Sequence, residues 1–220
     1  MPEISCVINV DSRKENDTNE KMFNGVVSRD FLVDNVINKK KLFEGFDAEF
    51  IVFLDLHEDV SEETISHMRE LADTLIIRKH NKEFEDNKNF AAFNDLNYLQ
   101  ALFCARGKYI FHFDGDVSAF TISPEPIREY INLLDKYGFV SYPSLWSPNP
   151  VVDDSFQGVF WVSTRFFCCK RKSLDFTELM KCQLDYDYWK ENYPRARLCH
   201  WLEHILHYTK DNCVYYPEVE

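Results

Sequence analysis

The chain has 220 residues and a formal net charge of −12, with an isoelectric point near 5.0. That acidity argues against nucleic-acid binding, which needs a basic face, while 45% hydrophobic and 15% aromatic residues suffice for a sizeable packed core. No stretch reaches the ~18 consecutive apolar residues of a membrane span, and Met1-Pro2-Glu3-Ile4 lacks the basic and apolar regions of a signal peptide, so the expectation is a cytoplasmic chain with no integral membrane segment, peripheral attachment to a membrane being unreadable.

In chain order, Ile4 to Val10 forms a short apolar strand, followed by the polar stretch Asp11 to Asp17. Phe31 to Ile37 reads as an amphipathic helix. Phe50 to Asp55 is a second buried strand that closes on an acid. Ser61 is the N-cap of a helix that carries Glu62 and Glu63 in its first turn and runs through Met68 and Leu71. Thr74 to Arg78 is a third strand. Asn89 to Asn94 leads into a helix through Leu96, Leu99 and Phe103 that ends near Gly107. The apolar run from Tyr109, ending in Asp114-Gly115-Asp116, then supplies a fourth strand. Strand and helix alternate throughout this half, the mark of a parallel α/β sheet.

The second half is richer in Pro and aromatic residues, with Pro143, Pro148 and Pro150 ahead of Asp153-Asp154-Ser155. Arg165 to Cys169 reads as a strand, and Glu178 to Lys190 and Leu198 to Tyr208 as helices. The seven cysteines have no metal-site spacing and read as reduced thiols. Adjacent Cys168 and Cys169 on a strand point to opposite faces, as packing residues do. The chain is read as one domain whose halves, residues 1–117 and 118–220, differ in character.

The segment with the most chemistry is Tyr109-Ile110-Phe111-His112-Phe113-Asp114-Gly115-Asp116. An apolar strand stops at two carboxylates, at the edge where open α/β sheets bind ligands. Two acids there need a cation or ligand hydrogen bonds to compensate them, and oxygen ligation suits Mg²⁺ or Mn²⁺. The bland alternative is a hairpin turn, for which Asp-Gly is a strong signal.

The layout resembles the GT-A-fold glycosyltransferases, in the family that includes cellulose and chitin synthases. Ile4 to Asp11 sits where that family has its first strand and nucleotide-contacting loop. Asp55 sits where it has an Asp that reads the base. Ala91-Ala92-Phe93-Asn94, then Ala105-Arg106-Gly107-Lys108-Tyr109-Ile110, resembles the block ahead of its Asp-x-Asp motif, and Asp114-Gly115-Asp116 occupies the motif's place. The sequence departs from the family at Asn9-Val10-Asp11-Ser12-Arg13, at Phe93 and at Leu56-His57-Glu58-Asp59.

The resemblance implies a mostly parallel central sheet flanked by helices and a metal-dependent transferase. Its substrates would be a UDP- or GDP-sugar donor and a glycan or other hydroxyl acceptor. Asp116 would bind Mn²⁺ or Mg²⁺ directly, with Asp114 on the ribose or on the metal through water. Asp11 and Asp55 are the base and ribose candidates. Arg13 and Arg78 could reach a phosphate or the base, or be solvated, and Asn94 could hold the nucleotide or cap a helix. Glu203, in His200-Trp201-Leu202-Glu203-His204, aligns with the family's acid pair as the base that deprotonates the acceptor, which favours inversion. Its alternative is an exposed helix-face acid. His200, His204 and His207 share a helical face; they read as a polar-face cluster, or His204 completes the metal site. Trp146, Phe156, Trp161 and Trp189 could stack an acceptor sugar or pack in the core. The competing functions are a sugar nucleotidyltransferase, which would want a Gly-rich basic loop after the first strand, and a non-catalytic carbohydrate- or nucleotide-binding module.

Overall fold

A computed structural model describes residues 1–11, 29–56, 60–79, 99–114, 124–136, 138–141, 166–174, 176 and 213–215. The strands are β1 (Ile4–Asp11), β2 (Ala48–Leu56), β3 (Thr74–Lys79), β4 (Tyr109–Asp114), β5 (Phe139–Ser141), β6 (Phe166–Lys170) and β7 (Cys213–Tyr215). Among the described residues the helices are α1 (Arg29–Leu42), α2 (Glu62–Leu71) and α3 (Pro124–Lys136), and residues 99–104 are helical as well, within the helix expected through Leu99 and Phe103. One seven-stranded sheet has the order β3-β2-β1-β4-β6-β5-β7. Strands β3, β2, β1 and β4 are mutually parallel. Strand β6 runs antiparallel to both β4 and β5, and β7 is parallel to β5. The fold is therefore α/β with a mostly parallel sheet and flanking helices, as the alternation of elements implies.

The parallel strands form because their side chains are buried on both faces. Ile4, Cys6, Ile8 and Val10 of β1, Phe50, Val52 and Leu54 of β2, and Tyr109, Phe111 and Phe113 of β4 share one core with residues of α1, α2 and α3. Those helical residues are Leu32 and Val36 of α1, Ile65 and Met68 of α2, and Ile127, Tyr130 and Leu134 of α3. Phe43 sits at the centre, edge-on to Phe50, Phe111 and Phe113 at ring separations of 6.1, 5.3 and 6.2 Å. Alternation puts Val7, Ile51, Ile110 and Phe167, also buried, on the opposite face. Cys168 joins the helix-side core, and its neighbour Cys169 is equally buried on the other side.

Local signals account for most boundaries. The Ser61 hydroxyl accepts from the Thr64 N–H at 3.2 Å and caps α2. At the other end of α2, Lys40 donates to the Leu71 carbonyl at 2.5 Å while its ammonium lies 4.6 Å from the Phe50 ring. Helix α1 is longer than the Phe31 to Ile37 expected, because Lys39 and Leu42 continue its buried side. Helix α3 and strand β5 lie where the sequence reading placed nothing. The expected helices over Glu178 to Lys190 and Leu198 to Tyr208 lie outside the described residues. Among the described residues, no helix is long and apolar enough to cross a membrane.

A polar cluster fixes the amino edge of the sheet. Ser5 on β1 donates to Glu49 on β2 at 2.5 Å. The Arg106 N–H donates to Glu49 at 2.7 Å, and the Gly107 N–H to the Ser5 hydroxyl at 2.7 Å, just before β4 begins. The Arg106 guanidinium grips the second Glu49 oxygen at 2.8 and 2.5 Å. Burial alone would raise the Glu49 carboxyl, but hydrogen bonds from Ser5 and Arg106, with the guanidinium charge, hold it below its ordinary value.

Two predictions follow from this edge. A Cβ at Gly107 would stand 2.5 Å from the Ser5 nitrogen and 2.6 Å from the Ile4 carbonyl carbon, both backbone atoms. Gly107→Ala is therefore expected to lower unfolding free energy by about 1–3 kcal/mol or more in urea titration; native-like stability would refute the close approach. A carboxyl depressed in the folded state contributes stability that is complete above its unfolded value and is lost as pH falls through the folded one. The native chain should therefore lose stability below the ordinary value of 4.5. Glu49→Gln should already be destabilised at pH ~7 and show a shallower loss on acidification.

Candidate functional site

The chain runs outward from β1 to β2 and β3, then returns to lay β4 on the other side of β1. The strand order thus switches direction between β1 and β4. In sheets of this kind, the crevice at the carboxyl ends beside such a switch is where ligands bind. The residues that reach that edge are polar, although every strand behind them is apolar.

Asp11 ends β1 in register with Asp55 of β2, and Asp55 is in register with Arg78 of β3. One row across three strands therefore carries two acids and a base. Asp55 is 13% exposed, and its Oδ1 lies 3.9 Å from the Arg78 Nε. That separation is a charge contact rather than a hydrogen bond. Arg78 is thus beside an acid of the candidate site and 24% exposed.

Asp114 ends β4 in register with Asn9 of β1. Asp114 is partly exposed, whereas Phe113 just before it is buried. The first carboxylate of Asp114-Gly115-Asp116 therefore stands at the strand's carboxyl terminus beside the switch, and Asp114 belongs to a strand of the sheet, not to a hairpin. Among the described residues, no group of three or more His, Cys, Asp or Glu is gathered to hold a metal ion. Asp116, the other half of the motif, lies outside the described residues. So do Arg13, Asn94, Glu203, His204, the neighbouring His200 and His207, and the four aromatic residues considered for an acceptor platform. Asp11 is described as part of β1.

Two residues join the site that sequence reasoning did not select. His112 on β4 is fully buried and stacks on Phe167 of β6 at 4.9 Å with 13° between the rings. Its Nε2 lies 2.9 Å from the Asn9 Nδ2. The Asn9 Oδ1 is buried and accepts no hydrogen bond among the described residues. An unmet buried acceptor costs about 1–3 kcal/mol, so such an atom calls for an explanation. The sequence signal was available: Asn9 and His112 are polar interruptions of the runs Val7 to Val10 and Tyr109 to Phe113.

The Ala105-Arg106-Gly107-Lys108-Tyr109-Ile110 block has a different place. Arg106 and Gly107 work at the amino edge, holding Ser5 and Glu49. Arg171, after β6, donates to the Ala105 carbonyl at 2.8 Å. The block fixes where β4 starts, and so where Asp114 ends it.

No protein-family model and no curated protein matches the sequence. Solved structures match the fold. A Desulfovibrio desulfuricans G20 protein described as a nucleotide-diphospho-sugar transferase superposes with a TM-score of 0.52 at 11% identity, over 99% of this chain and 80% of its own. Residues 1–349 of Staphylococcus aureus TarS give 0.53 at 10% identity, over 98% of this chain and 58% of that one. A nucleoside-diphosphate-sugar pyrophosphorylase of Vibrio cholerae RC9 gives 0.56 at 12% identity, over 96% and 91%. This chain has the fold that these three proteins share.

Proposed function

We propose that the chain is a metal-dependent glycosyltransferase that moves a sugar from a UDP- or GDP-sugar to a hydroxyl of a glycan or other acceptor. The observation that carries this reading is the convergence of Asp11, Asp55 and Asp114 on the carboxyl edge beside the β1–β4 switch. Residues 1–117 would serve the donor and residues 118–220 the acceptor.

In this reading Asp55 and Asp11 orient the base and ribose, assisted by Arg13 and Asn94. Asp114 and Asp116 would hold Mn²⁺ or Mg²⁺, with His204 as a candidate further ligand. The carboxylate donors at this edge fit such a hard cation. When bound, the ion would supply Lewis-acid neutralisation of the leaving diphosphate. Glu203 would take the proton from the acceptor hydroxyl. The acceptor oxygen then forms its bond to the anomeric carbon as the bond to the diphosphate breaks, with inversion.

A second reading, a sugar nucleotidyltransferase, is favoured by the fold shared with the V. cholerae pyrophosphorylase. Against it stands Asn9-Val10-Asp11-Ser12-Arg13, which has no glycine to let backbone N–H groups cradle a triphosphate. Calorimetric titration of UDP, GDP and UTP, each with and without Mn²⁺, separates the two. The expected result is metal-dependent binding of one nucleoside diphosphate, weakened at least ~100-fold in Asp114→Ala and Asp116→Ala. Preference for UTP, with pyrophosphate release from UTP and a sugar phosphate, would support the second reading. Absence of nucleotide binding with metal present would overturn both.

A further inference from the structure

We propose that Asn9 is a ligand-orienting residue of the nucleotide site, presenting its amide oxygen to a ribose hydroxyl or base N–H of a nucleoside diphosphate, and that His112 is the positioning residue that sets this orientation. The inference rests on the nucleotide-site reading above and assigns two residues within it.

Asn9 lies at the switch itself, in register with Asp114 on one side and with Phe53 on the other. Its neighbours Val7, Ile8 and Val10 are all but fully buried, so an amide in that run is costly unless it has a task. An amide nitrogen can only donate, so at 2.9 Å the His112 Nε2 is the acceptor, and the ring proton sits on Nδ1. The ring cannot turn away, because it is fully buried and lies flat against Phe167. The flipped amide would require the other ring tautomer, with the proton on Nε2. In this arrangement the Asn9 Oδ1 is an acceptor, and it is buried with no donor among the described residues. A bound ribose hydroxyl or base N–H provides the donor that this atom lacks. None of the three acids at the edge duplicates the role, because a neutral acceptor reads a donor without adding charge beside a diphosphate.

The test is calorimetry on the whole chain with Mn²⁺, using UDP, GDP and their 2′-deoxy analogues. The variants are Asn9→Leu, His112→Phe and His112→Gln, each checked by thermal melting. Asn9→Leu should weaken the nucleotide that the native chain binds by about tenfold. An equal loss for the 2′-deoxy analogue assigns the contact to the base or the 3′-hydroxyl, and a loss confined to the ribonucleotide assigns it to the 2′-hydroxyl. His112→Phe keeps the ring stack but removes the acceptor and should also weaken binding. His112→Gln restores an acceptor and should recover most of that loss, which a merely structural role would not do. Native affinity in Asn9→Leu overturns the proposal, and equal affinities in the two His112 variants overturn the positioning role. If Asn9→Leu does not fold, the His112 pair decides. A native chain that binds neither nucleotide overturns the site reading itself, and this inference with it.

Discussion

A single buried carboxylate, Glu49, ties three separate stretches of chain together at the amino edge of the sheet. It accepts from Ser5 on β1, sits on β2, and takes both the N–H and the guanidinium of Arg106 just ahead of β4. Strand faces alternate with a period of two, so a slip of one residue would turn every side chain to the wrong layer. By pinning where β1, β2 and β4 begin, the cluster also decides what stands at their far ends. Asp11 faces Asp55, and Asn9 faces Asp114, because Ser5 faces Glu49 and Ile110. The geometry of the candidate site is thus set about one strand length away, by residues that have no contact with it.

The two ends of the strands treat polar groups in opposite ways. At the amino edge the acceptors are met by donors within the chain, and Gly107 allows backbone to approach backbone without intervening atoms. At the carboxyl edge the polar groups are partly exposed, and Asn9 keeps a buried oxygen unmet. A rigid, satisfied end supporting an unsatisfied one is the arrangement a binding site needs, since preorganised groups lose little freedom when a ligand arrives. The fold neighbours named above share this fold while bearing different names, and a fold by itself does not fix a function.

What was legible in the sequence follows from how far apart the interacting groups are. The parallel strands showed as apolar runs because each is buried on both faces, and α2 showed through the Ser61 cap. Asp55 and Asp114 were visible because they end such runs. Strand β6 was expected, but its antiparallel pairing with β4 depends on a long connection and has no local signature. Helix α3 did have one, Ser123 followed by Pro124, a common helix start. The Asn9–His112 pair spans 103 positions and the Glu49–Arg106 pair 57. No periodicity reports contacts at that range. Arg106 and Gly107 were noticed as part of a motif, yet their task is the entry to β4 rather than the site.

Adjacent Cys168 and Cys169 look outward from the two sides of β6, both fully buried, while Cys104 is exposed. Burial also pushes the Cys6 thiol up, away from the reactive thiolate. The sheet therefore carries its own chemical clock. An alkylating reagent meets Cys104 at once, but reaches Cys168 only when the helical layer lifts and Cys169 only when the opposite layer does. The order in which these two neighbours lose their protection distinguishes a sheet that is stripped from one side from a sheet that comes apart as a unit.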